Sequence, residues 1–241
     1  MHQHICRILF LAIALAIFCF ADDSVHTGEG TYYTNSGGGS CSLPIPAGTQ
    51  IAAMNAIDYN GSAACGGLIE VTNEDTGLSV RVRIDDSCPV CAKGDVDLNQ
   101  SAFAQISDLA AGRIPIHWRY VANDQAGNIK LYFKDGSNQW WFGVQARDHM
   151  YPISAIAYRV SGSGSGFVDM VRQDDNYFIG GGDVAGPYDF RMTDFWGQTV
   201  EATGVPLILM TETDTGKQFP VHETNATNAL NVVPGLYLLL E

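Results

Sequence analysis

The chain has 241 residues, 46% of them hydrophobic, and a formal net charge of −13. That apolar share can fill a core, which excludes a disordered polar tail. Residues 22–121 and 122–241 each carry −7, so neither half offers the basic face that nucleic acid or an anionic membrane would require.

At the N-terminus Arg7 precedes an unbroken apolar run from Ile8 to Phe20, and Ala21 stands before the polar Asp22-Asp23-Ser24. The run is too short to span a bilayer and has the flanks of a cleavable leader, so residues 1–21 read as a signal peptide of a secreted, extracellular protein. About 220 remaining residues fit two small domains. Removing the leader leaves Cys41, Cys65, Cys88 and Cys91, an even number that suggests two disulfides with three possible pairings. A metal is the rival reading for Cys88-Pro-Val-Cys91. No second close-spaced Cys or His pair accompanies it, so neither metal nor cofactor is expected.

Strand signals dominate the rest. Val80-Arg-Val-Arg-Ile84 alternates apolar and charged residues, and Ile114 to Val121, Ile129 to Phe133 and Ile153 to Val160 read similarly. Only Ser101 to Ala111 has helical spacing, with Asn99 placed as a cap and Gly112 as a stop. A boundary fits at Val121-Ala-Asn-Asp124. The first part, strands with one helix and disulfides, points to a compact β-barrel; the second, short strands without a helix, points to a β-sandwich.

The densest chemistry lies at Asp85, Asp86, Asp95 and Asp97. Val80, Val82 and Ile84 share parity with Asp86, so a continuing strand would turn Asp86 inward and Asp85 to solvent. An inward carboxylate is costly unless it is paired or borders a cleft. Asp97 has two readings: a groove acid, or a charge that merely favours the following helix N-terminus. The pair Trp140-Trp141 is the binding signal. Strand alternation would send one ring into the core and one to the surface unless a bulge or turn intervenes.

Several of these segments resemble one family. Asp86-Ser-Cys-Pro-Val-Cys, followed by Asp97-Leu-Asn-Gln-Ser-Ala-Phe103, is similar to the first domain of expansins. So are Gly28-Glu-Gly-Thr31-Tyr-Tyr and Ile114-Pro-Ile-His-Trp-Arg119. Lys134 to Pro152, containing Trp140-Trp141, and Phe190 to Gly197 resemble the second domain of microbial expansins.

The resemblance implies a mainly-β fold: a six-stranded double-psi β-barrel over 22–121, related to family-45 glycoside hydrolases, and an immunoglobulin-like β-sandwich over 122–241 that binds carbohydrate. It implies Asp97 as the residue most needed for wall loosening, with Thr31 and Asp86 beside it, and both Trp rings on an open face. Lys134 aligns with a lysine flanking that face. The family's third aromatic falls on Asp175, with Tyr177 as its replacement, and a groove aromatic of bacterial members falls on Cys88. The preferred disulfides become Cys41–Cys65 and Cys88–Cys91. Hydrolysis would need a second carboxylate about 5–10 Å from the acid, and the first-strand segment Thr31 to Ser36 has none. The expectation is therefore a monomeric, non-hydrolytic protein whose partner is cellulose, with xyloglucan and chitin as further candidates. A lytic transglycosylase, a weak endoglucanase and a pure binding module are the rivals.

Overall fold

The computed structural model describes residues 24–35 and 37–222; the leader expected over 1–21 lies outside them. The first part contains β1 (His26–Tyr33), β2 (Ile51–Asn55), α1 (Ala56–Tyr59), β3 (Leu68–Asn73), β4 (Ser79–Cys88), β5 (Val96–Asn99), α2 (Gln100–Ile106), a 3-10 turn at Leu109–Ala111 and β6 (Ile114–Val121). The six strands close a barrel in the order β1-β5-β2-β4-β3-β6. The pairs β1–β5 and β2–β4 are parallel, and closure leaves no edge strand to protect.

Alternation explains the wall. Val80, Val82 and Ile84 of β4 and Ile114, Ile116 and Trp118 of β6 fill the barrel core, while the charged residues between them face outward. Trp118 donates its indole N–H to the Gly94 carbonyl at 2.8 Å. The helix is shorter than its spacing predicts. Asn99 caps it by accepting from the Ala102 N–H at 3.2 Å, but it ends at Ile106, and Ala110 falls in the separate 3-10 turn.

Eight residues after β6 the chain enters β7 (Lys130–Phe133), then β8 (Phe142–Arg147), β9 (Ile153–Val160), β10 (Val168–Asp169), β11 (Val171–Arg172), β12 (Phe178–Gly180), β13 (Tyr188–Asp194), β14 (Thr199–Val205) and β15 (Glu212–Asp214). They form a four-stranded sheet, β10-β9-β13-β14, and a five-stranded sheet, β11-β12-β8-β7-β15. Phe133, Phe142, Tyr188 and Phe190 meet between the sheets in edge-on and tilted ring contacts. Phe142, Val144 and Ala146 of β8 face that core. The alternate residue Gln145 therefore points the other way, at the barrel.

Cys41 is the joint between the two parts. It is bonded to Cys65, as Cys88 is to Cys91. Its carbonyl accepts from the Gln145 side chain at 3.0 Å and from that of Asn176 at 3.4 Å. The segment between Tyr59 and Gly66 supplies further contacts, and the Tyr120 ring meets that of Phe195 edge-on, with centroids 5.4 Å apart. Tyr59 donates its hydroxyl to the Asp174 carbonyl, Ser62 donates to that of Gln173, and the Ser62 carbonyl accepts from Arg172. Gly66, at φ +74°, lies so close to the His149 ring that a Cβ would sit 2.7 Å from it. The Arg83, Arg147 and His149 side chains line a cleft of about 400 Å³ beside this joint.

Two outcomes follow from the joint. The Cys41–Cys65 bond closes a span of 24 residues, so replacing both cysteines by serine is expected to lower stability by about 3.5 kcal/mol, read from urea unfolding. An unchanged midpoint would contradict the joint's role. Burial, with Arg172 and Arg83 nearby, lowers the His149 pKa from its ordinary 6.5 to about 4. The unfolded chain thus takes the proton first, and stability is lost as pH falls through that interval. His149→Gln should flatten the decline between pH 7 and pH 4.5; an equal decline in both proteins would show that the ring is not its source.

Candidate functional site

A β-bulge decides which carboxylate reaches the groove. Ala52 of β2 pairs with Ile84, but the next residue, Ala53, pairs with Asp86, so Asp85 is an extra residue on β4. The parity expectation is therefore reversed. Asp85 is 1% exposed and takes the Arg83 guanidinium on both oxygens, at 2.6 and 2.8 Å. Burial raises its pKa, and the Arg83 hydrogen bonds and charge oppose that rise. The backbone carbonyl of Asp85 accepts from the Cys41 N–H at 3.0 Å. The turn before Cys41 must pass close by: a Cβ on Gly39 would lie 2.3 Å from that oxygen.

Asp86 instead joins a row that crosses four strands. Ala53 pairs with Asp86 on one side and Asp97 on the other, and Asp97 pairs with Thr31. With strands about 4.8 Å apart, the two aspartates stand about 10 Å apart at their Cα atoms, with small Ala53 as the floor between them. Asp97 lies between buried Val96 and Leu98 and faces outward. Its Oδ1 accepts from the Thr31 hydroxyl at 2.6 Å. Among the described residues nothing hydrogen-bonds to Oδ2, and the helix cap is Asn99, so Asp97 does not serve the helix end. Half-burial raises the Asp97 pKa, against the Thr31 hydrogen bond and the charge of Arg113. Asp86 is more occupied: its Oδ1 accepts from the Ser40 N–H, the Ser40 hydroxyl and the Ser87 N–H. It fastens the Ser40 turn to β4.

The row has further members that residue spacing does not reveal. Arg113, which immediately precedes β6, is ion-paired with Glu29 of β1. The two are 84 residues apart in the chain, and no local pattern connects them.

The Trp rings stand on the turn between β7 and β8. Trp140 is 66% and Trp141 41% exposed. Neither is core, because β8 begins only at Phe142 and strand alternation does not yet apply. Both backbone N–H groups point to the Asn138 side-chain oxygen, at 2.9 and 3.3 Å, and the Asn138 N–H donates to the Trp141 carbonyl at 2.7 Å. Gly181 braces the turn from behind, where a Cβ would come within 2.3 Å of the Trp140 carbonyl. Beside Trp141 is a depression lined by Lys134, Asp175 and Ile179.

Tyr177 does not extend this surface. It is 6% exposed, and the Lys134 ammonium sits over its ring, 4.7 Å from the centroid. Asp175 holds that ammonium at 2.6 Å. An ion pair therefore stands where a third ring was expected, and Tyr177 supports it from below.

Similar proteins were found in both sequence and structure. Residues 51–119 match the Barwin family. The chain is 35% identical to Expansin-YoaJ of Bacillus subtilis over 222 residues, covering 87% of this chain and 92% of that one. It is 27% identical to Expansin-like protein 1 of Dictyostelium discoideum, covering 88% and 78%. A mutant Clavibacter michiganensis expansin, crystallised in complex with cellohexaose, superposes with a TM-score of 0.74 at 28% identity, over 83% of this chain and all of that one.

The Asp97–Thr31 contact makes one prediction. Removing the hydroxyl with Thr31→Val takes away a donor to the ionised carboxylate, so the Asp97 pKa should rise further. Carboxyl carbon NMR across a pH series measures it, and an unmoved midpoint would mean that the bond does not favour the charged form.

Proposed function

The chain belongs to the expansin family, and from that premise we propose that it is a secreted protein that grips a neutral cell-wall glucan and loosens it without cutting. In this reading the Trp140 and Trp141 rings dock on the flat C–H faces of an extended chain such as cellulose. Burying roughly 50 Å² on each ring contributes on the order of 1 kcal/mol apiece. The barrel row then meets a neighbouring chain. The open oxygen of Asp97 accepts hydroxyl hydrogen bonds that would otherwise join one glucan to the next.

One observation carries the non-hydrolytic part. Three carboxylates flank the row, but Asp86 accepts three donors on one oxygen and Glu29 is ion-paired. Among the described residues Asp97 alone of the three has neither a backbone N–H nor a cation as a direct partner. Glycoside hydrolysis ordinarily uses two carboxyl groups, one as acid and one as base or nucleophile. A single acid can exchange hydrogen bonds but has no partner to activate water. The net charge of −13 favours a neutral polysaccharide over an acidic one.

Two variants separate the roles. Trp140→Ala/Trp141→Ala should lower retention on filter paper by about thirtyfold, the equivalent of about 2 kcal/mol. Asp97→Asn should keep that retention and lose mechanical weakening of the paper. Reducing sugar released by the wild type and lost in Asp97→Asn would establish a hydrolase instead. Full weakening by Asp97→Asn would leave only a binding module, and solubilised peptidoglycan fragments would point to lytic transglycosylation.

A further inference from the structure

The register of the barrel extends the row by one more strand. Gly30 pairs with Ile114 on antiparallel β6, and Glu29 with Pro115, so the next step of the ladder brings Arg113 level with Thr31. Thr31 is itself level with Asp97. Side chains alternate along a strand. Ile114 is buried in the barrel core, so Arg113, one residue earlier, stands on the outer face with Thr31 and Asp97. Glu29, two residues before Thr31, shares that face and holds the guanidinium.

We propose that Arg113 is a further groove residue, a donor that Glu29 holds across Thr31 from Asp97 so that a glucan chain lying over β1 meets an acceptor on one side and a donor on the other. The inference rests on the reading of this row as the glucan groove. A pyranose chain offers both donors and acceptors on its hydroxyl and ether oxygens, so a surface with both partners holds one chain in one orientation. A row of carboxylates alone would only accept hydrogen bonds from hydroxyls. The ion pair also fixes the guanidinium in place before the chain arrives, which lowers the ordering cost of binding. Since Asp86, Asp97 and Glu29 outnumber the single cation, the row favours neutral chains over uronic acids.

Arg113 also acts on Asp97 electrostatically: its charge lowers the carboxyl pKa against the larger effect of burial. The neighbouring elements also carry Glu29 and Tyr33 on β1, Asp86 and the buried Asp85–Arg83 pair on β4, and Asp95 just before β5. β2 contributes uncharged Ala53, and α2 carries no charge. Arg83 is spent on Asp85, and Arg113 is the cation whose charge acts on Asp97.

The test uses the intact protein with two readouts. Carboxyl NMR follows Asp97, assigned by its loss in Asp97→Asn, and paper weakening reports the activity. Arg113→Gln should move the Asp97 midpoint up and cut weakening about tenfold, the size of one lost charge-assisted hydrogen bond. Arg113→Lys should recover most of both, and Glu29→Gln should move the midpoint down. Retention on paper through the Trp rings should change less than about twofold, as expected for a distant site. An Asp97 midpoint that does not move in Arg113→Gln overturns the placement. A midpoint that moves while weakening stays intact overturns the contact with the chain. If Asp97→Asn retains full weakening, the loosening reading itself has failed, and the NMR shifts still judge whether Arg113 stands beside Asp97.

Discussion

The geometry of both surfaces depends on the backbone around Cys41. Its N–H satisfies the carbonyl that the bulge leaves over at Asp85, its sulfur ties it to Cys65, and its carbonyl takes two side chains from the sandwich. An unpaired buried carbonyl would cost on the order of 1–3 kcal/mol, so the bulge, the disulfide and the joint stabilise one another. The bulge in turn puts Asp86 into the outward row. Tyr59 and Ser62, from the segment that Cys65 anchors, reach the turn that carries Asp175. The contacts therefore run from the groove wall to the flank of the Trp surface.

Charge follows the same logic of paired burial. Asp85 has Arg83, and Asp189 has Arg159 and the Ser161 hydroxyl. Asp97 differs, because its direct partner is a hydroxyl and its nearest cation is already engaged by Glu29. Half-buried and held by one hydroxyl, it is the carboxylate of the row with neither a backbone N–H nor a cation as its direct partner.

The sequence made the wall strands legible because they face a core on one side only. Val80 to Ile84 and Ile114 to Trp118 alternate cleanly, and Asn99 carries a recognisable cap. The same alternation misassigned Asp85 and Asp86, since an extra residue pairing two against one leaves no mark on local spacing. It would have sent one of the two Trp rings into the core, but both precede their strand and are exposed, and only the family resemblance placed both in the open. That resemblance did not reveal that Tyr177 is covered, because its cover is an ion pair between Lys134 and Asp175, 41 positions apart. Arg113 and Glu29 were invisible for the same reason: contacts set by barrel closure join residues that no window spans.

The turn that carries Trp140 and Trp141 contributes little to the core behind it. Its shape comes from Asn138 and from the bare backbone of Gly181, not from the indole rings. The rings can thus be exchanged for smaller, larger or polar side chains without disturbing the packing of Phe133, Phe142 and Phe190. With the rings in the docking role we propose for them, grip on the wall is free to drift under selection while the scaffold stays fixed. A lineage meeting a new polysaccharide could retune its adhesion one side chain at a time, with the barrel and its joint left as they are.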